Sequence, residues 1–174
     1  MKRTIIGALL MCQSAFAQQV ISKHTKPDSL YVVMVQDEMD GTITYYPSMR
    51  ILATDDGEKG FALSAFLNRS MNVEDLEVLS AGLGCSEHDE VIILFDNGEK
   101  ITKKSWNEFN CKGNSWFHLS SSDKELLSKQ PIKKVRFTSG RSYESYTQEI
   151  QGSDKTYFIR LFNMCQERKY FIVK

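Results

Sequence analysis

The sequence has only three prolines and four cysteines, and it carries no net charge, with Lys plus Arg and Asp plus Glu at 22 each. So few prolines, with ten glycines in 174 residues, exclude a collagen-like or low-complexity chain. The missing basic excess removes the electrostatic basis of nucleic-acid binding. No stretch approaches the roughly 18 consecutive apolar residues of a membrane-spanning helix. Signatures of chemistry are missing as well: there is no phosphate loop, no G-x-S-x-G elbow, no H-E-x-x-H pair and no dinucleotide fingerprint. What remains is an ordinary globular composition, 41% hydrophobic and 25% charged, sized for one domain with a real core.

The first residues read as an export signal. Lys2 and Arg3 precede the apolar run Ile5 to Met11, and Ala15-Phe16-Ala17 supplies the small-x-small pattern of a signal-peptidase site. Cleavage after Ala17 gives an N-terminus at Gln18 and leaves the remainder two charges on the acidic side. Lipidation at Cys12 is disfavoured by bulky Met11 before it. The segment 18–29 is polar, contains Pro27, and reads as a loose leader into a domain over 30–174. The expected location is the periplasm or cell surface.

Export changes how the cysteines read. Without Cys12 the chain holds Cys85, Cys111 and Cys165, an odd number that suggests one disulfide and one protected thiol. The β-branched run Val91-Ile92-Ile93-Leu94-Phe95 leads into Asp96-Asn97-Gly98-Glu99, and Asn-Gly predicts a type I′ hairpin. If Asp96 faces Glu99, Cys85 and Cys111 fall one position out of register, within reach of a bulge. The alternative is three separate buried thiols. Cys165 falls with Phe158, Leu161 and Phe162 on one stripe of a helix expected over Asp154 to Arg168, capped by Ser153. That places it on the core face as the leftover thiol.

Elsewhere the chain alternates like a strand-rich protein. Strands are expected at Leu30 to Val35, at Thr42 to Ala53 with a bend at Pro47, at Phe61 to Leu67, at Leu76 to Ser80 and at Ser115 to Leu119. Ser122-Asp123-Lys124-Glu125 matches a capping box that opens a short helix ending by Pro131. Ile132 to Thr138 and Tyr143 to Ile150 form a hairpin around Gly140. The fold class is α+β: a mainly antiparallel, sandwich-like sheet core with a short helix and a long C-terminal helix packed on it.

The stretch Asp89 to Cys111 (DEVIILFDNGEKITKKSWNEFNC), the segment Pro131 to Phe137 (PIKKVRF) and Thr156 to Phe162 (TYFIRLF) together resemble a group of small exported proteins of Gram-negative gut-type bacteria with no known activity. The resemblance implies export and lends some support to the Cys85–Cys111 pair. It implies no activity, cofactor or catalytic residue.

Each arrangement of reactive residues has a plainer reading. Cys85-x-x-His88 with Cys111 and His118 sketches a zinc site, but the outer spacing fits no common finger, and oxidised cysteines cannot ligate. His24 lies in the leader. Cys165 with His118 would make a thiol nucleophile, against the apolar stripe that buries Cys165. The acidic runs 37–40 and 87–90 lack the spacing of a calcium loop and read as solvated turns.

Binding is the remaining class. Trp106, Phe109, Trp116 and Phe117 cluster around Cys111, with Lys103, Lys104 and Lys112 between them. Trp116 and His118 share one strand face, and Phe117 and Leu119 share the other. With the second pair in the core, Trp116 and His118 point outward, and an exposed tryptophan beside polar groups makes a platform on which a sugar ring or peptide stacks; Trp106, Trp116 and His118 are the candidate binding residues. The competing reading has both tryptophans plugging the core between sheet and helix. The expected function is an exported, non-catalytic binding or accessory module of the bacterial envelope with a protein or glycan partner, no nucleic acid, no cofactor and no metal. The alternative is a small secreted hydrolase or thiol enzyme whose site the linear sequence hides.

Overall fold

The computed structural model describes residues 30–48, 51–55 and 59–173; the expected signal, its cleavage site and the leader 18–29 lie outside them. The described strands are β1 (Val32–Gln36), β2 (Ile43–Pro47), β3 (Ile51–Asp55), β4 (Lys59–Leu67), β5 (Val73–Ala81), β6 (Glu90–Phe95), β7 (Lys100–Lys104), β8 (Asn114–His118), β9 (Ile132–Thr138), β10 (Ser145–Glu149) and β11 (Phe171–Val173). Helix α1 spans Ser121–Lys129, and α2 spans Tyr157–Gln166.

Two sheets result. The larger runs β11-β1-β2-β4-β5-β8 with β3 beside β4, and the smaller runs β10-β9-β6-β7. All pairs are antiparallel except β1 with β11. Period-two alternation explains which faces meet. Val91, Ile93 and Phe95 of β6 are fully buried, and so are Leu76 and Val78 of β5. The two sheets share one apolar core, where the Phe61 ring lies 5.9 Å from Phe137 and 6.3 Å from Tyr146.

Strands β2 and β3 lie along the same edge of β4, as a strand bent at Pro47 would. Tyr45 faces Leu67 and Ile51 faces Leu63. Only that first pair joins β2 to β4, so the sheet is notched beside Ser64 and Ala65. The loop after β1 is a tight turn in which Asp37 and Asp40 accept the N–H groups of Met39 and Thr42, both at 2.7 Å. Its carboxylates serve the backbone.

The β6–β7 hairpin departs from the expected register by one residue. Ile93 faces Ile101, the loop is Asp96-Asn97-Gly98, and only Gly98 is left-handed, at φ 87°. In the expected register Ile93 would have faced Thr102. Burying two isoleucines opposite each other decides the register over the turn dipeptide. Cys85 is bonded to Cys111, and Ser86 and Asn110 exchange backbone hydrogen bonds beside the disulfide.

Both helix starts also differ from expectation. The capping box of α1 is Ser120 with Asp123, two residues earlier than Ser122 with Glu125. This start buries Leu127 and brings Asp123 to the Lys103 ammonium. Burial works against that carboxylate, but hydrogen bonds from Lys103 and Ser120 overcome it and hold its pKa below the usual value. The long C-terminal helix is replaced by a 3-10 turn over Gly152–Thr156 without a Ser153 cap, then the ten-residue α2. Arg168 adopts φ 52°, its N–H bonds to the Cys165 carbonyl, and the Lys169 N–H bonds to Met164. This is a Schellman end with arginine where glycine is usual. It releases the chain to form β11, parallel to β1.

Candidate functional site

A buried carboxylate and a disulfide build the site from beneath. Asp89, fully buried, accepts the Ser115 hydroxyl of β8 and the Gly140 N–H at 2.9 Å. Gly140 is required there, since a Cβ would stand 2.1 Å from the Glu87 carbonyl oxygen. These contacts, with the Cys85–Cys111 bond, fix the loop 105–113 before β8. The loop folds back on its own strand: the Trp106 N–H donates to the Trp116 carbonyl at 3.1 Å, and the Trp116 N–H donates to Asn107 Oδ1 at 3.0 Å.

Register then defines the outer face of the large sheet. Across β4, β5 and β8, one row reads Phe66, Asp75, His118 and the next reads Ser64, Glu77, Trp116. The intervening residues Leu76 and Phe117 are fully buried on the other face, and Leu119 continues that burial. On β2, Thr44 and Tyr46 continue the outer face.

The expected division of β8 is therefore present, with Phe117 and Leu119 inward and Trp116 and His118 outward. Neither tryptophan plugs the core. Trp106 is 53% exposed, and its ring stacks on Trp116 at 5.9 Å and on His118 at 5.1 Å, with interplanar angles of 28° and 12°. His118 Nδ1 lies 2.5 Å from Asp75 Oδ1, so the imidazole is oriented by a carboxylate below and an indole above.

Between these groups lies a groove of about 370 Å³. Tyr46, Phe66, Trp106 and Trp116 form its aromatic lining, and Asp75 and Glu77 are its charged groups. Tyr45, Pro47 and Ala65 line the notch where β2 leaves β4. The Tyr157 hydroxyl of α2 lies 3.2 Å from Ser64 Oγ, which couples the helix to the groove floor. Sequence reading found Trp106, Trp116 and His118 but missed Tyr46, Phe66, Asp75 and Glu77. Those four lie on three strands, β2, β4 and β5, and only cross-strand register brings them to the face of Trp116.

The other candidate centres do not assemble. The disulfide consumes both cysteines of the sketched zinc site, and His88 is exposed on a left-handed residue. Among the described residues, no group of three or more His, Cys, Asp and Glu is placed to hold a metal ion. Cys165 is half-buried against the core, and burial pushes its thiol up to about 11. At neutral pH it is a thiol, not a nucleophilic thiolate. Phe109 lies under the Arg141 guanidinium at 4.9 Å, and Lys103 pairs with Asp123. The interleaved aromatic and lysine residues thus belong to different surfaces. Among the described residues no helix is long and apolar enough to cross a membrane.

Fold and site define the class: a two-sheet α+β protein with an aromatic groove on the outer face of its larger sheet. Comparison of the chain with protein-family models, curated proteins and solved structures gives no match.

Proposed function

We propose that this protein is an exported, non-catalytic binding module of the bacterial envelope and that the groove between Tyr46, Phe66, Trp106 and Trp116 is where it binds. One observation carries the reading: Tyr46, Phe66 and Trp106, each about half exposed, line one groove with two carboxylates on the face of the larger sheet opposite Leu76 and Phe117. Such rings bury large apolar area at little conformational cost while keeping a polar edge in water. Exposed aromatic residues concentrated in one concave site mark interaction surfaces.

One feature argues against a thiol nucleophile: burial keeps the Cys165 thiol protonated. Export is supported by the signal-like start and by the Cys85–Cys111 disulfide, a bond that persists in oxidising compartments. Protein recovered from the exporting cell is expected to show an N-terminus at Gln18 by mass spectrometry; a retained leader or a lipidated Cys12 overturns export.

The groove itself is tested by nuclear magnetic resonance with a fragment set of saccharides, amino acids, short peptides and nucleosides. Binders shift the indole N–H resonances of Trp106 and Trp116 first. Binders that shift only resonances elsewhere, or no binders, overturn the reading.

A further inference from the structure

One uncharged row of side chains crosses four adjacent strands on the outer face of the larger sheet. Phe171 of β11 pairs with Val33 of β1, and Val33 pairs with Tyr46 of β2. Tyr45 faces Leu67, so one step along, Tyr46 comes beside Phe66 of β4. Paired residues share a face, and the row therefore reads Phe171, Val33, Tyr46, Phe66. The Tyr31 ring meets Phe171 edge-on at 5.7 Å. Phe171 ends the row on the edge strand and is 65% exposed, against 52% for Tyr46, 41% for Phe66 and 53% for Trp106.

At roughly 150–250 Å² for a whole aromatic residue, those four rings leave roughly 400 Å² open to solvent. A patch of that size marks an interaction surface. With half-buried Tyr31, Val33, Thr44 and Trp116 and exposed Val35 beside them, the face approaches the roughly 800 Å² that each partner of a stable complex buries. Shape then selects the partner, because the face carries both halves of one contact. Phe171 is a knob at the sheet edge, and the groove of about 370 Å³ behind Tyr46 and Phe66 is a hole. Two strand spacings, roughly 10 Å, separate β11 from β2 at the near wall of the groove. A twofold axis over β1 and β2, running along the strands, carries each copy's Phe171 into the other's groove in one operation. A different protein filling the groove would leave Phe171 bare.

We propose, on the basis of the binding reading above, that the partner of the groove is a second copy of this chain. Two outer faces pack on each other as aligned sheets do, and Phe171 of each copy enters the groove between Tyr46, Phe66 and Trp116 of the other.

The test uses the full chain without its signal segment, with sedimentation equilibrium reporting mass and tryptophan fluorescence reporting the groove. The mass is that of two chains at high concentration and falls to one on dilution, and emission shifts to the red over the same range. Phe171→Thr removes the ring but keeps a residue suited to a strand, and it weakens association at least tenfold. Phe66→Thr, on the groove wall, does the same. Ile172→Thr, on the opposite face of β11, changes association less than twofold; an equal loss there, as edge-to-edge pairing of β11 would give, overturns the knob-and-groove dimer. Mixing the Phe171→Thr and Phe66→Thr chains gives a heterodimer tighter than either homodimer, because one intact knob then meets one intact groove. No gain on mixing overturns the reciprocal contact. A mass of one chain at every concentration up to about 500 μM overturns the dimer. Fragments that still shift the indole resonances of that single chain leave the groove as a binding site, and a blank fragment screen removes the binding reading too. A single chain whose emission turns red only when residues 18–29 are removed overturns the dimer in favour of cover by that segment.

Discussion

At the scale of single residues, the two tryptophans differ in what they are for. Trp106 is 53% exposed and packs one face on Trp116, so truncation removes a surface platform. Trp106→Ala is expected to change stability by less than about 1 kcal/mol. Trp116 is half-buried beneath it, and Trp116→Ala is expected to cost about 1–3 kcal/mol, against about 3–5 kcal/mol for Phe117→Ala in the core. Thermal melting of the three variants checks this order, and a Trp106 loss as large as the Phe117 loss would place that ring in the core after all. Cys165 gives a second expectation. With its thiol pushed up to about 11 by burial, native protein at pH 8 should alkylate at Cys165 at least about tenfold more slowly than the unfolded chain. Equal rates would mean the stripe of α2 is open to solvent. The periodicity of β8 was legible because a strand alternates its faces residue by residue. The stack on His118 was not, since it depends on a loop folding back.

At the scale of elements, short-range signals located the helices and strands but misplaced their ends. Phe158 and Leu161 lie on the buried stripe, whereas Phe162 and Cys165 are half-buried at its margin. Leu161→Ala is therefore expected to cost about 2–5 kcal/mol, and Phe162→Ala distinctly less, about 1–3 kcal/mol. Urea unfolding of the pair measures the difference, and equal losses would mean that the helix is rotated from the orientation described. The helix ends where Arg168 turns left-handed, a conformation that sequence reading assigns to glycine or asparagine. The α1 cap moved to Ser120 because Asp123 finds Lys103 on β7, a partner invisible in the local pattern. The turn dipeptide Asn97-Gly98 correctly announced a hairpin, but its register followed the pairing of Ile93 with Ile101.

At the scale of the whole molecule, the Cys85–Cys111 bond links stability to the site. It closes a separation of 26 residues, worth about 3–4 kcal/mol in the chain-entropy description. Replacing both cysteines with serine should lower the urea midpoint accordingly and also loosen Trp106, whose loop the bond anchors. Tryptophan emission should then shift to the red in the native baseline, before unfolding begins. An unchanged native spectrum would mean that the Asn107 and Asn110 contacts hold the loop without the disulfide. The sequence by itself determined the strand-rich α+β class, the β6–β7 and β9–β10 hairpins and the alternation of faces along β8, because each follows from periodicity or turn chemistry within a short stretch; it left open the Cys85–Cys111 pairing and which face of β8 turns outward. Tertiary structure alone decided the order of strands in two sheets, the parallel docking of β11 on β1, and the meeting of Tyr46, Phe66, Asp75 and Glu77 with the tryptophans. Those contacts join residues distant along the chain, and their partners are selected by which faces can be buried together, a condition that no local pattern encodes.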